Sequence, residues 1–274
     1  MKYQQSELLS ILPPKLRCAI PREKLDKTTE IRLRLGSPAL LCCPDGFRPV
    51  GGAVTQEDLN FCVNAASRYS PWNAAPMKMG YLPAPGGHRI GLCGEAAGET
   101  LRELSSLCIR IARDFPGIAD AIPTRDSLLI LGIPGSGKTT LLRDLIRKIS
   151  RVGRGSVAVV AERREIFPSA GGRFCFDPGA HTDVLSGCSK ARGSDMVLRS
   201  MGPRWIALDE ITAEADCLAL TKAAGGGVKL IATAHASGVN DLLARRVYAP
   251  LVETKLFHTA AVLQPDKSYR MERF

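Results

Sequence analysis

Leu128-Leu129-Ile130-Leu131-Gly132-Ile133-Pro134-Gly135-Ser136-Gly137-Lys138-Thr139-Thr140-Leu141-Leu142 is the stretch that decides the fold. A short apolar run leads into G-x-x-x-x-G-K-T, and apolar residues at helical spacing follow, so the sequence reads strand, loop, helix. That is a phosphate-binding loop in the context its chemistry requires. Gly132, Gly135 and Gly137 let backbone N–H groups curl around phosphate oxygens where a Cβ would obstruct them. Lys138 supplies a charge for the β- and γ-phosphates, the Thr139 hydroxyl is a Mg²⁺ ligand, and the helix that follows points its positive end at the same place. Gly132, Pro134, Gly135, Ser136, Gly137, Lys138, Thr139 and Thr140 are therefore read as the nucleotide-binding loop.

Outward from the loop, short apolar strands alternate with helical segments from about residue 119 onward, which predicts an α/β domain with a mainly parallel sheet. Strands are expected at about 127–132, 156–161, 204–209, 228–234 and 258–263. Helices are expected at 138–150, where Leu141, Leu142, Leu145, Ile146 and Ile149 form one stripe, and at 213–224, ended by Gly225-Gly226-Gly227. The stretch from Pro168 to Gly193 is rich in Gly, Ser and Pro and reads as turns lying over the site.

Trp205-Ile206-Ala207-Leu208-Asp209-Glu210 is an apolar strand ending in two carboxylates, about 70 residues after Lys138 and with one strand, Val157 to Ala161, between. That order is the mark of additional-strand P-loop ATPases with a RecA-like core. Asp209 is expected to hold Mg²⁺ through a water, and Glu210 to polarise the attacking water. Leu230 to Ala234 is the next strand, and His235 at its end is placed to sense the γ-phosphate. In Glu162-Arg163-Arg164-Glu165, either Glu162 or Glu165 is a candidate to orient the water or the metal; a solvated charged turn is the plainer alternative. Arg199 is a candidate for the phosphates or for a neighbouring subunit, against a plain surface arginine on a helix.

Residues 1–118 read as a smaller α+β domain, with 119–274 as the motor domain and Asp114-Phe115-Pro116-Gly117 as the boundary. Thr55-Gln56-Glu57-Asp58 opens a helix with Leu59, Cys62, Val63 and Ala66 on one face, and Gly80–Leu92 reads as a β-hairpin around Pro83-Ala84-Pro85-Gly86-Gly87. Nine cysteines without a C-x-x-C pair argue against a disulfide framework and a zinc site. No apolar run approaches the ~18–20 residues of a membrane span, and the first residues lack signal-peptide order, so a cytoplasmic protein is expected. The net charge of +10 is spread over both parts and leaves nucleic acid, an anionic membrane or an acidic partner open.

Beyond the loop, the sequence resembles the stage III sporulation protein AA family, ATPases related to the motors of type II and type IV secretion. The resemblance is carried by Glu30-Ile31-Arg32-Leu33-Arg34, Gly86-Gly87-His88-Arg89-Ile90-Gly91 and Ile109-Arg110-Ile111-Ala112-Arg113 in the first domain. In the second it is carried by Gly137 to Asp144, Thr182 to Cys188, Leu198-Arg199-Ser200-Met201 and Ala232-Thr233-Ala234-His235. The resemblance implies a Mg²⁺-dependent ATPase in the mother cell of spore formers, a hexamer on the cytoplasmic face of the membrane-embedded sporulation channel. It also implies ATP held between the N-terminal and motor domains, with Arg89 and Arg110 as the N-terminal arginines against it. The chain departs from the family pattern at Ala161, where an Asp is usual, at Arg164, at His181, where an Arg is common, and at Ile211-Thr212 in place of Ile-Gly.

Three functions are compatible with these residues. The leading one is an oligomeric ATP-hydrolysing motor that energises a membrane-spanning assembly between mother cell and forespore. The second is a nucleic-acid-dependent ATPase or an ATP-regulated nucleic-acid binder, favoured by the charge but lacking a helix-turn-helix signal or interleaved aromatics, which make up only 5% of the chain. The third is an assembly protein that uses ATP structurally.

Overall fold

The structure is a computed structural model that describes residues 2–67, 80–98, 100–153, 155–162, 165–170 and 173–274. The chain divides into two compact units, Met1–Asp114 with Ser169–Cys175, and Phe115–Pro168 with Phe176–Phe274.

The first unit is built on a six-stranded antiparallel sheet in the order β3-β2-β1-β6-β5-β4. Its strands are β1 (Glu30–Arg34), β2 (Pro38–Cys43), β3 (Gly46–Ala53), β4 (Tyr81–Pro83), β5 (Arg89–Ala97) and β6 (Thr100–Arg110). Among the described residues four α-helices accompany it: α1 (Lys2–Ser10), α2 (Pro14–Ala19), α3 (Arg22–Leu25) and α4 (Gln56–Ser67). Alternation explains the sheet. Ile31 and Leu33, Leu41, Leu107 and Ile109, and Ile90 and Leu92 are buried in one core with Leu8, Leu12, Leu16 and Leu59 of the helices. The predicted start of α4 is a capping box: Thr55 N–H donates to Asp58 Oδ2 at 2.7 Å and Asp58 N–H to Thr55 Oγ1 at 3.4 Å. Leu59, Cys62, Val63 and Ala66 are all buried. The predicted hairpin is β4 and β5, joined through a 3₁₀ turn at Pro85–Gly87.

The second unit carries a seven-stranded sheet in the order β11-β8-β12-β13-β7-β14-β15. Its strands are β7 (Leu128–Leu131), β8 (Val157–Ala161), β11 (Thr182–Ser186), β12 (Trp205–Ile211), β13 (Lys229–Ala234), β14 (Thr259–Leu263) and β15 (Tyr269–Arg273). All pairings are parallel except β14 with β15. A two-residue pair, β9 (Ser169–Ala170) and β10 (Arg173–Phe174), forms a separate antiparallel sheet that belongs to the first unit. The helices are α5 (Lys138–Arg151), α6 (Lys190–Met201), α7 (Glu214–Gly225), α8 (Val239–Leu243) and α9 (Ala249–Glu253). The five strands expected from sequence are present. The two extra ones, β11 and β15, are the sheet edges, and β11 corrects the reading of 168–193 as turns alone. Edge strands face solvent, so TDVLS and YRMER carry no apolar run to mark them.

The strand order positions the site. β13 lies between the loop strand β7 and the carboxylate strand β12, and β8 lies beyond β12. Four parallel strands thus deliver their C-terminal ends, at residues 132, 162, 209–210 and 235, to one edge of the sheet.

Candidate nucleotide site

The loop between β7 and α5 is shaped by glycines for two different physical reasons. A Cβ on Gly132 would lie 2.4 Å from Ser136 Oγ and 3.2 Å from Leu263 Cβ, so close packing demands its absence. At Gly135 and Gly137 a Cβ would meet nothing within 4 Å, and the requirement is instead their φ of +74° and +106°. No side chain caps α5, and Leu141 N–H, donating to Gly137 O at 3.0 Å, is the first backbone donor of the helix to find a carbonyl. The N–H groups before it are the anion-binding end of the helix. Ser136 Oγ is buried without a hydrogen-bond partner among the described residues. An orphaned buried hydroxyl in the loop that leads into the uncapped N-terminus of α5 fits a phosphate.

Lys138 is only 7% exposed and folds back on the loop: its Nζ donates to Gly132 O at 2.9 Å, to Ile133 O at 3.0 Å and to His235 Nδ1 at 3.0 Å. Burial pushes its ammonium below the usual lysine range, against the opposing pull of the Asp209 and Glu210 charges. An ammonium only donates, so Nδ1 of His235 accepts and its proton sits on Nε2, which donates to Glu210 Oε1 at 3.0 Å. Lys138, His235 and Glu210 form one hydrogen-bonded chain across three strand ends.

Asp209 is held from two sides. Thr139 Oγ1 donates to its Oδ2 at 2.9 Å and Thr233 Oγ1 to its Oδ1 at 2.6 Å. Thr233 also accepts the Glu210 N–H at 2.7 Å, and Glu210 has a φ of +52° that is unusual for a residue with a Cβ. The pair Thr139 and Asp209 is a hydroxyl and a carboxylate in contact, oxygen donors of the kind a hard cation such as Mg²⁺ takes. Among the described residues no group of three or more His, Cys, Asp or Glu is placed to hold a metal by itself.

A cleft beside these residues is lined by Glu162, Glu165, Lys190, Asp209, Glu210 and Thr212. Glu162 Oε2 accepts from Lys190 Nζ at 2.8 Å. Arg143 of α5 fixes the following segment, donating to Ile166 O at 2.6 Å and Glu165 O at 3.2 Å while its guanidinium lies 4.3 Å from the Phe176 ring centroid. Arg163 and Arg164 lie outside the described residues. Of the remaining candidates, Arg199 is 76% exposed on α6 and pairs with Asp195 at 2.9 Å, so the structure does not bring it to the other site groups. Arg89 and Arg110 are register partners on β5 and β6 of the first unit; Arg89 stacks on Tyr81 at 3.9 Å and Arg110 Nε lies 3.5 Å from Glu30. Thr233 and Lys190 were missed by sequence reasoning. Thr233 carries a signal in hindsight, as the one hydroxyl in an apolar strand, whereas Lys190 carries none.

The strand order, the loop and the carboxylate pair define an additional-strand P-loop nucleotide-binding fold. The model of the sporulation stage III, protein AA family matches residues 2–270, and the chain belongs to that family. It is 34% identical over 272 residues to stage III sporulation protein AA of Bacillus subtilis (strain 168), spanning 92% of this chain and 88% of that one. It is 28% identical over 254 residues to protein SEEDLING PLASTID DEVELOPMENT 1 of Arabidopsis thaliana, covering 86% of this chain and 34% of the plant protein. Among solved structures it is similar to the Legionella pneumophila ATPase DotB, with a TM-score of 0.59 at 18% identity over 92% of this chain and 77% of that one. The pilus retraction motor PilT with bound ADP gives 0.62 at 12% identity, over 91% and 79%. The fold is thus shared with an ATPase and with a pilus retraction motor. No described helix is long and apolar enough to cross a membrane.

Proposed function

We propose that the chain is a Mg²⁺-dependent ATPase that energises a sporulation assembly, working as an oligomer, by analogy a hexamer, on the cytoplasmic face of a membrane complex in the mother cell. The observation that carries the reading is the hydrogen-bonded chain from Lys138 through His235 to Glu210, beside the Thr139–Asp209 pair.

Gly132 to Thr140 cradle the phosphates, with the α5 amides and Ser136 Oγ supplying donors. Thr139 and Asp209 would hold Mg²⁺, which when bound neutralises charge on the phosphate oxygens. Lys138 exchanges its loop carbonyls and His235 for the β- and γ-phosphates. His235 then loses the bond from Lys138 at Nδ1, and reports an occupied loop through that loss while its Nε2 still orients Glu210. Glu210 accepts a proton from the attacking water, and Glu162 orients that water from the facing wall. Arg199, exposed on a single chain, is proposed to act on nucleotide held by a neighbouring copy, and Arg89 and Arg110 are the first unit's proposed nucleotide contacts.

Steady-state ATP hydrolysis by the wild type and by Glu210→Gln tests the reading. The expected result is Mg²⁺-dependent turnover that falls by about 10²–10⁴-fold in the variant while ATP binding is retained. Wild-type protein that binds no ATP would refute it, and turnover raised steeply by single-stranded DNA and lost with salt would favour the nucleic-acid reading.

A further inference from the structure

Lys190 is in an unfavourable place for a lysine. It is the first residue of α6, where the helix dipole disfavours a cation, and its side chain is only 7% exposed. Two carboxylates offset that cost: Glu162 Oε2 at 2.8 Å and Asp216 Oδ2 at 3.5 Å. The two differ in what else they do. Asp216 is 12% exposed and its Oδ2 accepts the N–H groups of Thr212 at 3.0 Å and Ala213 at 3.2 Å, fixing the chain just past Glu210. Glu162 is 48% exposed and has no described partner other than Lys190.

The distance between Lys190 and Glu162 is set by packing. A Cβ on Gly193 would lie 2.4 Å from Val160 Cγ1 and 2.9 Å from Cys188 Sγ, so only a glycine lets α6 come this close to β8. Val160 is the penultimate residue of β8, and Glu162 directly follows the end of that strand. Lys190 therefore ties two walls of the cleft: the end of β8 on one side, and the turn that follows the Asp209-Glu210 carboxylates on the other.

We propose that Lys190 is a positioning residue that holds the Glu162 carboxylate over the cleft opposite Glu210, so that Glu162 orients the attacking water. The proposal rests on the ATPase reading of the site. Lys190 itself contacts neither phosphate nor water. A lysine serving only to stabilise the fold would act independently of Glu162, and that difference is measurable.

The test is a double-mutant cycle on kcat with Lys190→Met, Glu162→Gln and the double variant, together with the dissociation constant of a fluorescent ATP analogue. Each single variant is expected to lose about ten-fold or more in kcat, with nucleotide affinity unchanged within about two-fold and the double variant no worse than about two-fold below the weaker single. A crystal structure of nucleotide-free Lys190→Met is expected to show Glu162 turned out of the cleft while Asp216 still caps α7. A double variant whose loss is the product of the single losses, or Lys190→Met with wild-type kcat, overturns the proposal. If Lys190→Met does not fold, Lys190→Gln runs the same cycle and is judged by the same criterion. Wild-type protein that binds no ATP refutes the ATPase reading itself, whereas an active wild type with an unaffected Lys190 variant refutes only the positioning role.

Discussion

Thr233→Val isolates what the strand behind the site does for catalysis. Thr233 is fully buried, and its Oγ1 donates to Asp209 Oδ1 at 2.6 Å and accepts the Glu210 N–H at 2.7 Å. Valine keeps the shape and removes both bonds. A hydrogen bond to a carboxylate contributes roughly 1.5–3 kcal/mol, and an N–H left unpaired costs roughly 1–3 kcal/mol. Glu210 is also held at a φ of +52°, a left-handed conformation that costs a residue with a Cβ roughly 1–2 kcal/mol. The Thr233 bond offsets that cost, so without it the backbone at Glu210 relaxes and the carboxylate moves. A displacement of about 1 Å costs on the order of 100-fold in rate, which is about 2.7 kcal/mol of barrier. The expected outcome is a kcat reduced about 100-fold, with ATP affinity little changed, because the phosphate loop is untouched. Thr233→Ser, which keeps the hydroxyl, stays within a few-fold of wild type. Coupled ATPase assays with parallel titration of a fluorescent nucleotide measure both. Wild-type kcat in Thr233→Val, or equal impairment in the valine and serine variants, would refute the clamp.

Three further outcomes follow from the burial of Lys138 and the packing of Gly193. Burial depresses the Lys138 pKa, so between that value and about 10.4 the unfolded chain binds more protons than the folded one and stability rises with pH. Urea denaturation at about pH 8 and about pH 10 is expected to show this gain in the nucleotide-free wild type and a smaller one in Lys138→Met; equal slopes would show that the lysine is not desolvated. The same variant is expected to lose the stabilisation by ATP, which at 100 times the dissociation constant is about 2.7 kcal/mol. Gly193→Ala places a methyl 2.4 Å from Val160 Cγ1 and is expected to lower stability by about 1–3 kcal/mol, with Val160→Ala restoring part of it; a neutral Gly193→Ala in thermal unfolding would mean that α6 shifts freely.

Much of the nucleotide unit was legible because its central strands are buried on both faces. Leu128–Leu131, Val157–Ala161 and Trp205–Leu208 are fully buried, and such strands must be written as apolar runs. The loop was legible because glycine, lysine and threonine are needed there by chemistry. The polar side of α5 was not. Its apolar stripe predicted one buried face, yet Arg143, Asp144 and Arg147 are buried too. Asp144 accepts from Arg147 at 2.8 Å and from the N–H groups of Gly117 and Ala119 at 3.0 and 2.9 Å, so charged residues fasten a loop against the helix. Periodicity detects burial only through apolarity, and charges that are buried because they are paired look like a solvated face. Lys190 was missed for the same reason, since its partners are 28 and 26 residues away in sequence.

The pairing of the cleft separates groups that an incoming nucleotide would take over from groups it would find fixed. Asp209 has a buried donor in Thr233 and a half-buried one in Thr139, and only the latter sits at the mouth of the loop. Lys138 is held by two loop carbonyls and an imidazole, none of them charged, so a phosphate competes for it at a clear electrostatic advantage. Glu210 is held by His235 and Glu162 by Lys190, bonds that do not involve the phosphate loop. On the proposed reading, binding is thus driven through Lys138 and Thr139, while the carboxylates that act on water are already oriented before ATP arrives. Orientation set in advance costs no reorganisation at the moment of reaction. His235 is the one residue common to both sets, and loss of its bond from Lys138 is the event by which an occupied loop would be felt at Glu210.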